Sequence, residues 1–153
     1  AEAGAEGILE CNCAALLPAA TRPEFPKILR GGPGQAEFQK SCEYNANPTG
    51  PSPAASLAVT VKRVGSQPDF AGAVDEMLSL YSKTVERQDQ READIHRFTA
   101  VVDGALGKSV VGVTHSDNYF IETIEYMDSA PAKLAEPRTY LTALPTRVGA
   151  ACR

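Results

Sequence analysis

The alternation of apolar and polar residues predicts several β-strands. Leu57, Val59 and Val61 alternate with Ala58, Thr60 and Lys62, which is the pattern of a strand with one buried face. Two later apolar runs flank Ser116-Asp117-Asn118, and Asp and Asn tolerate the left-handed geometry of a hairpin turn. The sequence predicts four strands, at about 38–45, 56–64, 109–115 and 119–127.

Helical spacing of apolar residues predicts a long central helix. Asp69 is suited to cap its start, and apolar residues recur on one face from Phe70 to Val85. The polar run 86–94 interrupts this face, which resumes at Ile95 and Phe98. Prolines limit the other predicted helices: a short helix after Cys13, a second ending at 31–34, and a closing helix capped by Asp128 or Ser129, with Pro131 in its first turn and Tyr140, Leu141, Leu144 and Val148 on its apolar face.

These elements follow one another as helix, two strands, helix, two strands, helix. The economical arrangement is an α+β fold, an antiparallel sheet of about four or five strands with helices packed on one face. The length fits a single domain over residues 8–153, preceded by a loose tail over residues 1–7.

The charge of the chain argues against a nucleic acid partner, and its hydropathy argues against a transmembrane helix. The net charge is −4, and the nearest approach to a basic cluster, Arg87, Arg91 and Arg97, is interleaved with acidic residues. Phosphate binding requires clustered Lys and Arg, so we expect no nucleic acid partner. No apolar run approaches the roughly 20 residues of a transmembrane helix. These features leave the oligomeric state open.

Four cysteines, Cys11, Cys13, Cys42 and Cys152, predict a framework of two disulfides. Such a framework indicates a secreted or periplasmic protein. The chain opens with small and acidic residues, so we expect it to begin after a cleaved signal peptide. Because Cys11 is not the first residue of the sequence, we expect it to carry no lipid anchor.

Two disulfide pairings are open. A Cys11–Cys13 bridge would close a very small ring, so these two cysteines take Cys42 and Cys152 in either order. Cys13–Cys42 with Cys11–Cys152 is slightly favoured, because the helix after Cys13 should cover the strand that carries Cys42.

Candidate sites for other chemistry are sparse. Cys11 and Cys13, with His96 or His115, could bind zinc or cuprous copper, but the even cysteine count favours disulfides over a metal site. We expect no cofactor. No serine-hydrolase, metalloprotease or phosphate-loop motif is present.

The weak ligand-binding candidates are His115, Glu122 and Tyr126. Either His96 or His115 could act as a general base, although no nucleophile stands in a recognisable context nearby. Glu122, Glu125 and Asp128 on the last strand and its exit are expected to face solvent.

Short motifs resemble those of a group of actinobacterial secreted proteins. They are Cys13-Ala14-Ala15-Leu16-Leu17, Cys42-Glu43-Tyr44 entering a strand, Leu106-Gly107 before a strand, and an alanine-rich closing helix near a cysteine. This layout resembles actinobacterial secreted or lipoprotein domains of unknown function, which are similar to the extracellular sensor domain of a mycobacterial Ser/Thr kinase. The resemblance implies a Cys13–Cys42 bridge and a helix-backed antiparallel sheet with a cleft, without established enzymatic activity. The chain departs from that family in lacking a lipid-bearing cysteine and in having Cys11 and Cys152.

Three functional hypotheses follow. The leading one is an exported bacterial, non-enzymatic domain that binds a small ligand or a protein in the cleft of its sheet. The second is a small secreted enzyme that uses His115 with a strand carboxylate such as Glu122. The third is a metal carrier that uses the thiols of Cys11 and Cys13.

Overall fold

The fold is described from a computed structural model that covers residues 9–22, 25–29, 39–45, 55–64, 69–92, 94–104, 107–116, 118–127 and 139–152. Its elements in chain order are α1 (Cys13–Leu16), a 3-10 helix (Ala19–Thr21), β1 (Lys27–Leu29), β2 (Gln39–Asn45), β3 (Ala55–Arg63), α2 (Phe70–Leu78), β4 (Lys83–Glu92), β5 (Ile95–Gly104), β6 (Gly107–Ser116), β7 (Tyr119–Met127) and α3 (Thr139–Ala151).

The seven strands form one antiparallel sheet in the order β1-β2-β3-β7-β6-β5-β4. After β3 the chain passes through α2 to the far edge, and β4 to β7 then return strand by strand to pair with β3. The antiparallel sheet is confirmed. The predicted four or five strands are wrong, because the described residues form seven strands and the fold is mostly β.

The three strands missing from the prediction are β1, β4 and β5. The helix predicted to extend to Val85 ends at Leu78, and its cap is confirmed, since the Asp69 side chain accepts from the Gly72 N–H at 2.9 Å. Every β4 side chain except that of Thr84 is exposed. A strand with little buried surface has no need of alternating apolar residues, so β4 lacks the pattern that identified β3.

The other predicted strands and the hairpin are confirmed, with β6 and β7 paired from Ser109–Tyr126 to Ser116–Tyr119. In the region of the second predicted short helix, the described residues contain the edge strand β1. The tail 1–7, the helix end at 31–34, and the proposed caps Asp128 and Ser129 lie outside the described residues. None of the described helices combines the length and apolar character that crossing a membrane requires.

Helices cover both faces of the sheet, which corrects the prediction that they pack on one face. Alternate residues of β7 divide between two cores: Ile121 packs with α1 and α3, whereas Phe120 and Ile124 pack with α2. We call these two sides of the sheet the α3 face and the α2 face. A sheet with strands buried on both sides lets a chain rich in small residues build two separate cores.

The α3 face holds both disulfides. Cys11 pairs with Cys152, with Cα atoms 4.0 Å apart, and Cys13 pairs with Cys42, at 5.7 Å. The favoured pairing is therefore confirmed. The predicted apolar face of the closing helix is also confirmed for Tyr140, Leu144 and Val148, which are buried, and the helix continues past Pro145 to Ala151.

A buried arginine organises the segment after α1. Arg22 donates from Nε to the Leu17 carbonyl at 2.7 Å and from Nη1 to the carbonyls of Phe25 and Pro26 at 2.9 and 2.7 Å. Its guanidinium also lies over the Tyr44 ring, 4.9 Å from the centroid. These contacts offset the free-energy cost of burying the positive charge of the guanidinium.

Tyr44 connects this segment to the first disulfide. Its hydroxyl donates to the Cys13 carbonyl at 2.7 Å. Burial raises the pKa of Tyr44 from 10.0 to about 12, an effect that the nearby Arg22 guanidinium reduces. The hydroxyl therefore stays protonated, and able to donate, across the physiological pH range.

Candidate functional site

The α2 face is only partly covered. In β3, Leu57, Val59 and Val61 are buried on the α3 face, whereas Thr60 and Lys62, which point the other way, are only partly buried. Within the described part of the chain, helix α2 packs on β5, β6 and part of β7, and no described helix packs on β2, β3 or the adjoining side of β7 on this face. We call this area the open surface; it comprises Ser41, Glu43, Ser56, Ala58, Thr60, Lys62, Glu122 and Tyr126.

Two polar pairs cross the strands of the open surface. The hydroxyl oxygens of Ser41 and Thr60 lie 3.1 Å apart, and Lys62 Nζ lies 3.1 Å from Glu122 Oε2. Register explains the closeness: Ser41, Thr60 and Glu122 occupy directly opposed positions on β2, β3 and β7. The open surface thus places hydroxyl, ammonium and carboxylate groups close together on three adjacent strands.

Only some residues of the open surface could be predicted from the sequence as site residues. Glu122 and Tyr126 were predicted candidates, and both lie on the open surface. Lys62, Thr60 and Ser41 were missed as site residues. The outward positions of Thr60 and Lys62 were visible in the alternation of β3, but their partners depend on strand register, which the sequence did not reveal.

The two histidines are cross-strand neighbours at the border of the open surface. His96 on β5 is opposite His115 on β6, and His115 is opposite Phe120 on β7. The His96 ring stacks on Phe70 of α2, with centroids 3.8 Å apart and planes 15° apart, and the His115 ring meets Phe120 edge-on at 5.6 Å. The sheet therefore brings together two residues that are isolated in sequence, and α2 covers one of them.

Both ring nitrogens of His96 are engaged. Arg91 Nη2 lies 2.9 Å from Nδ1, and Asp89 Oδ1 lies 2.8 Å from Nε2. Because arginine can only donate, Nδ1 accepts and Nε2 carries the proton that it donates to Asp89. This arrangement assigns the neutral Nε2–H tautomer to His96 and leaves no ring nitrogen for a substrate.

His115 and Glu122 do not form the pair that the enzyme hypothesis needs. Both side chains are on the α2 face, but Glu122 contacts Lys62, and Nε2 of His115 is buried without a hydrogen-bond partner. A general base has to reach the proton that it removes. The sheet brings these two residues onto one face without joining them.

Glu125 is not the solvent-facing acid that the sequence predicted. Three positions along a strand from Glu122, it points to the opposite face, where it is buried and accepts a hydrogen bond from the Tyr140 hydroxyl of α3. The two acids therefore cannot form a paired-carboxylate site. Asp128 lies outside the described residues.

The structure also bears on metal binding. All four cysteines are in disulfides, so Cys11 and Cys13 present no thiolate to a metal ion. Across the described ranges, no group of three or more His, Cys, Asp or Glu side chains is placed to hold one.

Comparison with known proteins gives no relative: no family model matches the chain, and no curated protein matches its sequence significantly.

Proposed function

We propose that this chain is an exported binding domain, without catalytic activity, that holds a small polar ligand or a segment of a protein on its open surface. The observation that carries the proposal is the uneven covering of the α2 face. Helix α2 packs on β5 and β6, whereas the polar side chains of the neighbouring strands stay partly accessible: those of Lys62 and Glu122 are 23% and 19% exposed, and Glu43 is exposed. Because a helix is about 10 Å across with its side chains, we infer that α2 forms one wall of a shallow cleft whose floor is the open surface.

The chemistry of the floor favours a polar ligand that is not anionic. Lys62 and Glu122 neutralise each other, Glu43 adds one negative charge, and Ser41 and Thr60 can each donate and accept. A strongly anionic ligand would lack a surplus of positive charge at this place. Peptide amides and sugar hydroxyls have the mixed donors and acceptors that match such a floor.

Export is supported by the two disulfides, because such bonds persist in oxidising compartments outside the cytoplasm. The layout resemblance to secreted actinobacterial domains and to a kinase sensor domain points in the same direction. The enzymatic alternative has less support, since His96 is fully engaged and His115 does not reach Glu122.

Amide chemical-shift mapping tests the proposal. The ¹⁵N-labelled protein is titrated with a panel of N-acetyl dipeptide amides and short oligosaccharides. We expect at least one class to shift amides of β2, β3 and β7 around Thr60 and Glu122, and Thr60→Val with Ser41→Ala to weaken that binding. Lys108→Met, which removes a lysine paired with Asp103 elsewhere on the sheet, is the matched control. Binding that maps only to other surfaces, or no binding across the panel, contradicts the proposal.

A further inference from the structure

The outer edge of β4 is long, and no described strand pairs with it. β4 pairs with β5 on one side and is the last strand of the sheet on the other. Its side chains from Val85 to Glu92 are all exposed. An edge of this length presents a row of unpaired N–H and C=O groups that another strand can use.

Two observations single out this edge as an interface. Leu80 and Val85 are the exposed large hydrophobic residues of the described part of the chain, 70% and 42% exposed; Val85 lies near the start of β4, and Leu80 lies in the turn before it. The second observation is that charges of opposite sign alternate along β4, where Arg87, Asp89 and Arg91 lie on one side of the sheet. Charged edges commonly prevent strand pairing, but alternating charges permit it in a matching register.

We infer that β4 pairs antiparallel with β4 of a second copy of this chain, about a two-fold axis that passes through Gln88 perpendicular to the sheet. Such an axis keeps both α2 faces on one side. It places Arg87 of each copy opposite Asp89 of the other and Glu86 opposite Gln90; before Glu86 the β-bulge at Val85 ends the regular register. The two sheets become one continuous sheet across the dimer.

Neighbouring registers are disfavoured by charge. An axis through Arg87 opposes the two copies of Arg87, and an axis through Asp89 opposes Asp89 to itself and Arg87 to Arg91. Like charges directly opposite each other destabilise a strand pair. The axis through Gln88 avoids every such contact within the regular part of the strand, which runs from Glu86 to Glu92 after the β-bulge at Val85.

The existing contacts of these side chains are compatible with the pairing. Asp89 uses Oδ1 for His96 and keeps Oδ2 for Arg87 of the second copy. The guanidinium of Arg87 lies 5.6 Å from the centroid of the Phe98 ring, with hydrogen-bond donors to spare. The interface is separate from the open surface, so the dimer does not depend on the proposed binding function.

Sedimentation velocity of the full chain, from micromolar to millimolar concentration, tests the inference. The expected result is a reversible shift from 16.2 kDa toward twice that mass. Gln88→Lys places two ammonium groups together at the axis and should shift the midpoint concentration at least tenfold upward. Gln90→Lys adds the same charge two residues away, opposite Glu86, and should leave the dimer as strong or stronger. A wild-type chain that stays monomeric at millimolar concentration overturns the inference, as does equal weakening by both lysines.

A charge-exchange pair tests the register itself. Arg87→Asp opposes Asp to Asp, and Asp89→Arg opposes Arg to Arg, so each variant alone should be monomeric. Mixed together, they oppose every Asp to an Arg and should form a one-to-one heterodimer. Amide-resonance dispersion establishes that each variant is folded. Folded variants that fail to associate when mixed, while the wild type dimerises, overturn this register.

Discussion

The backbone carbonyl of Leu141 in α3 accepts a hydrogen bond of 3.1 Å from Arg97 Nη2 of β5. In an α-helix this carbonyl would accept from the N–H four residues later, but that residue is Pro145, which has none. Arg97 therefore supplies the donor that the proline removes. This explains how a helix with an internal proline continues to Ala151, although a proline inside a helix ordinarily kinks or shortens it.

We expect Arg97→Met to destabilise the protein by about 1–3 kcal/mol, because it leaves the Leu141 carbonyl without a donor. Pro145→Ala restores the helical N–H, so the same Arg97→Met change should cost less in that background. Urea unfolding of the two single variants and the double variant measures the coupling. Strictly additive effects would show that Arg97 does not compensate for the proline.

The strands with a buried face could be predicted from the sequence, and the exposed strand could not. Strands β3, β6 and β7 were predictable because one or both of their faces are buried, which leaves alternation or an apolar run in the sequence. β4 was not predictable, since its Glu, Arg and Gln residues favour helices as readily as exposed strands. The closeness of His96 to His115 depends on the register of β5 and β6, and β5 had been assigned to a helix.

Tyr140→Phe should destabilise the fold by about 2 kcal/mol, since it takes a hydrogen bond from the buried carboxyl group of Glu125. Tyr119→Phe is a matched control, because the Tyr119 hydroxyl donates to a neutral carbonyl, that of Cys152, at 3.3 Å. Its loss should cost about 1 kcal/mol or less. Chemical unfolding at neutral pH compares the two, and an equal cost would argue against special importance of the buried carboxyl group.

The raised pKa of Tyr44 makes stability fall at alkaline pH. Its pKa is about 12 in the folded protein against an ordinary value of 10.0, so the folded state holds the proton more tightly. The stability due to this difference is fully present below pH 10, and it is lost as the pH rises from 10 toward 12.

Ultraviolet titration of the phenolates measures this effect. The wild type should show a late-titrating tyrosine that is missing in Tyr44→Phe, and the stability of the variant should depend less on pH between 10 and 12. Tyr81→Phe is the control, because burial also raises the pKa of Tyr81. If Tyr44→Phe leaves the late titration unchanged, the assignment is wrong.

Gly112 is required by a close approach between β6 and β7. A Cβ atom at this position would lie 2.7 Å from Thr123 Oγ1. Gly112→Ala should therefore destabilise the fold by about 1–3 kcal/mol. Thr123→Ala removes the obstructing atom, so the double variant should recover part of the loss, with a coupling of about 1 kcal/mol. Thermal unfolding of all four proteins completes the cycle, and an absence of coupling would place the strain elsewhere.

The two disulfides should contribute unequally to stability. The Cys11–Cys152 bridge spans 141 residues and the Cys13–Cys42 bridge spans 29. Loop entropy predicts losses of about 5 and about 3.6 kcal/mol when each is replaced by a pair of serines. Unfolding of the two double-serine variants in urea compares them, and a larger loss for the shorter loop would show that local packing outweighs loop entropy.

The Cys11–Cys152 bridge also decides how the domain responds to mechanical load. It joins the first described segment to the last, with the whole sheet between them. Tension applied to the chain before Cys11 and after Cys152 passes through a covalent bond instead of through the strands. The sheet would then keep its shape, and its open surface, while the polypeptide on either side is pulled.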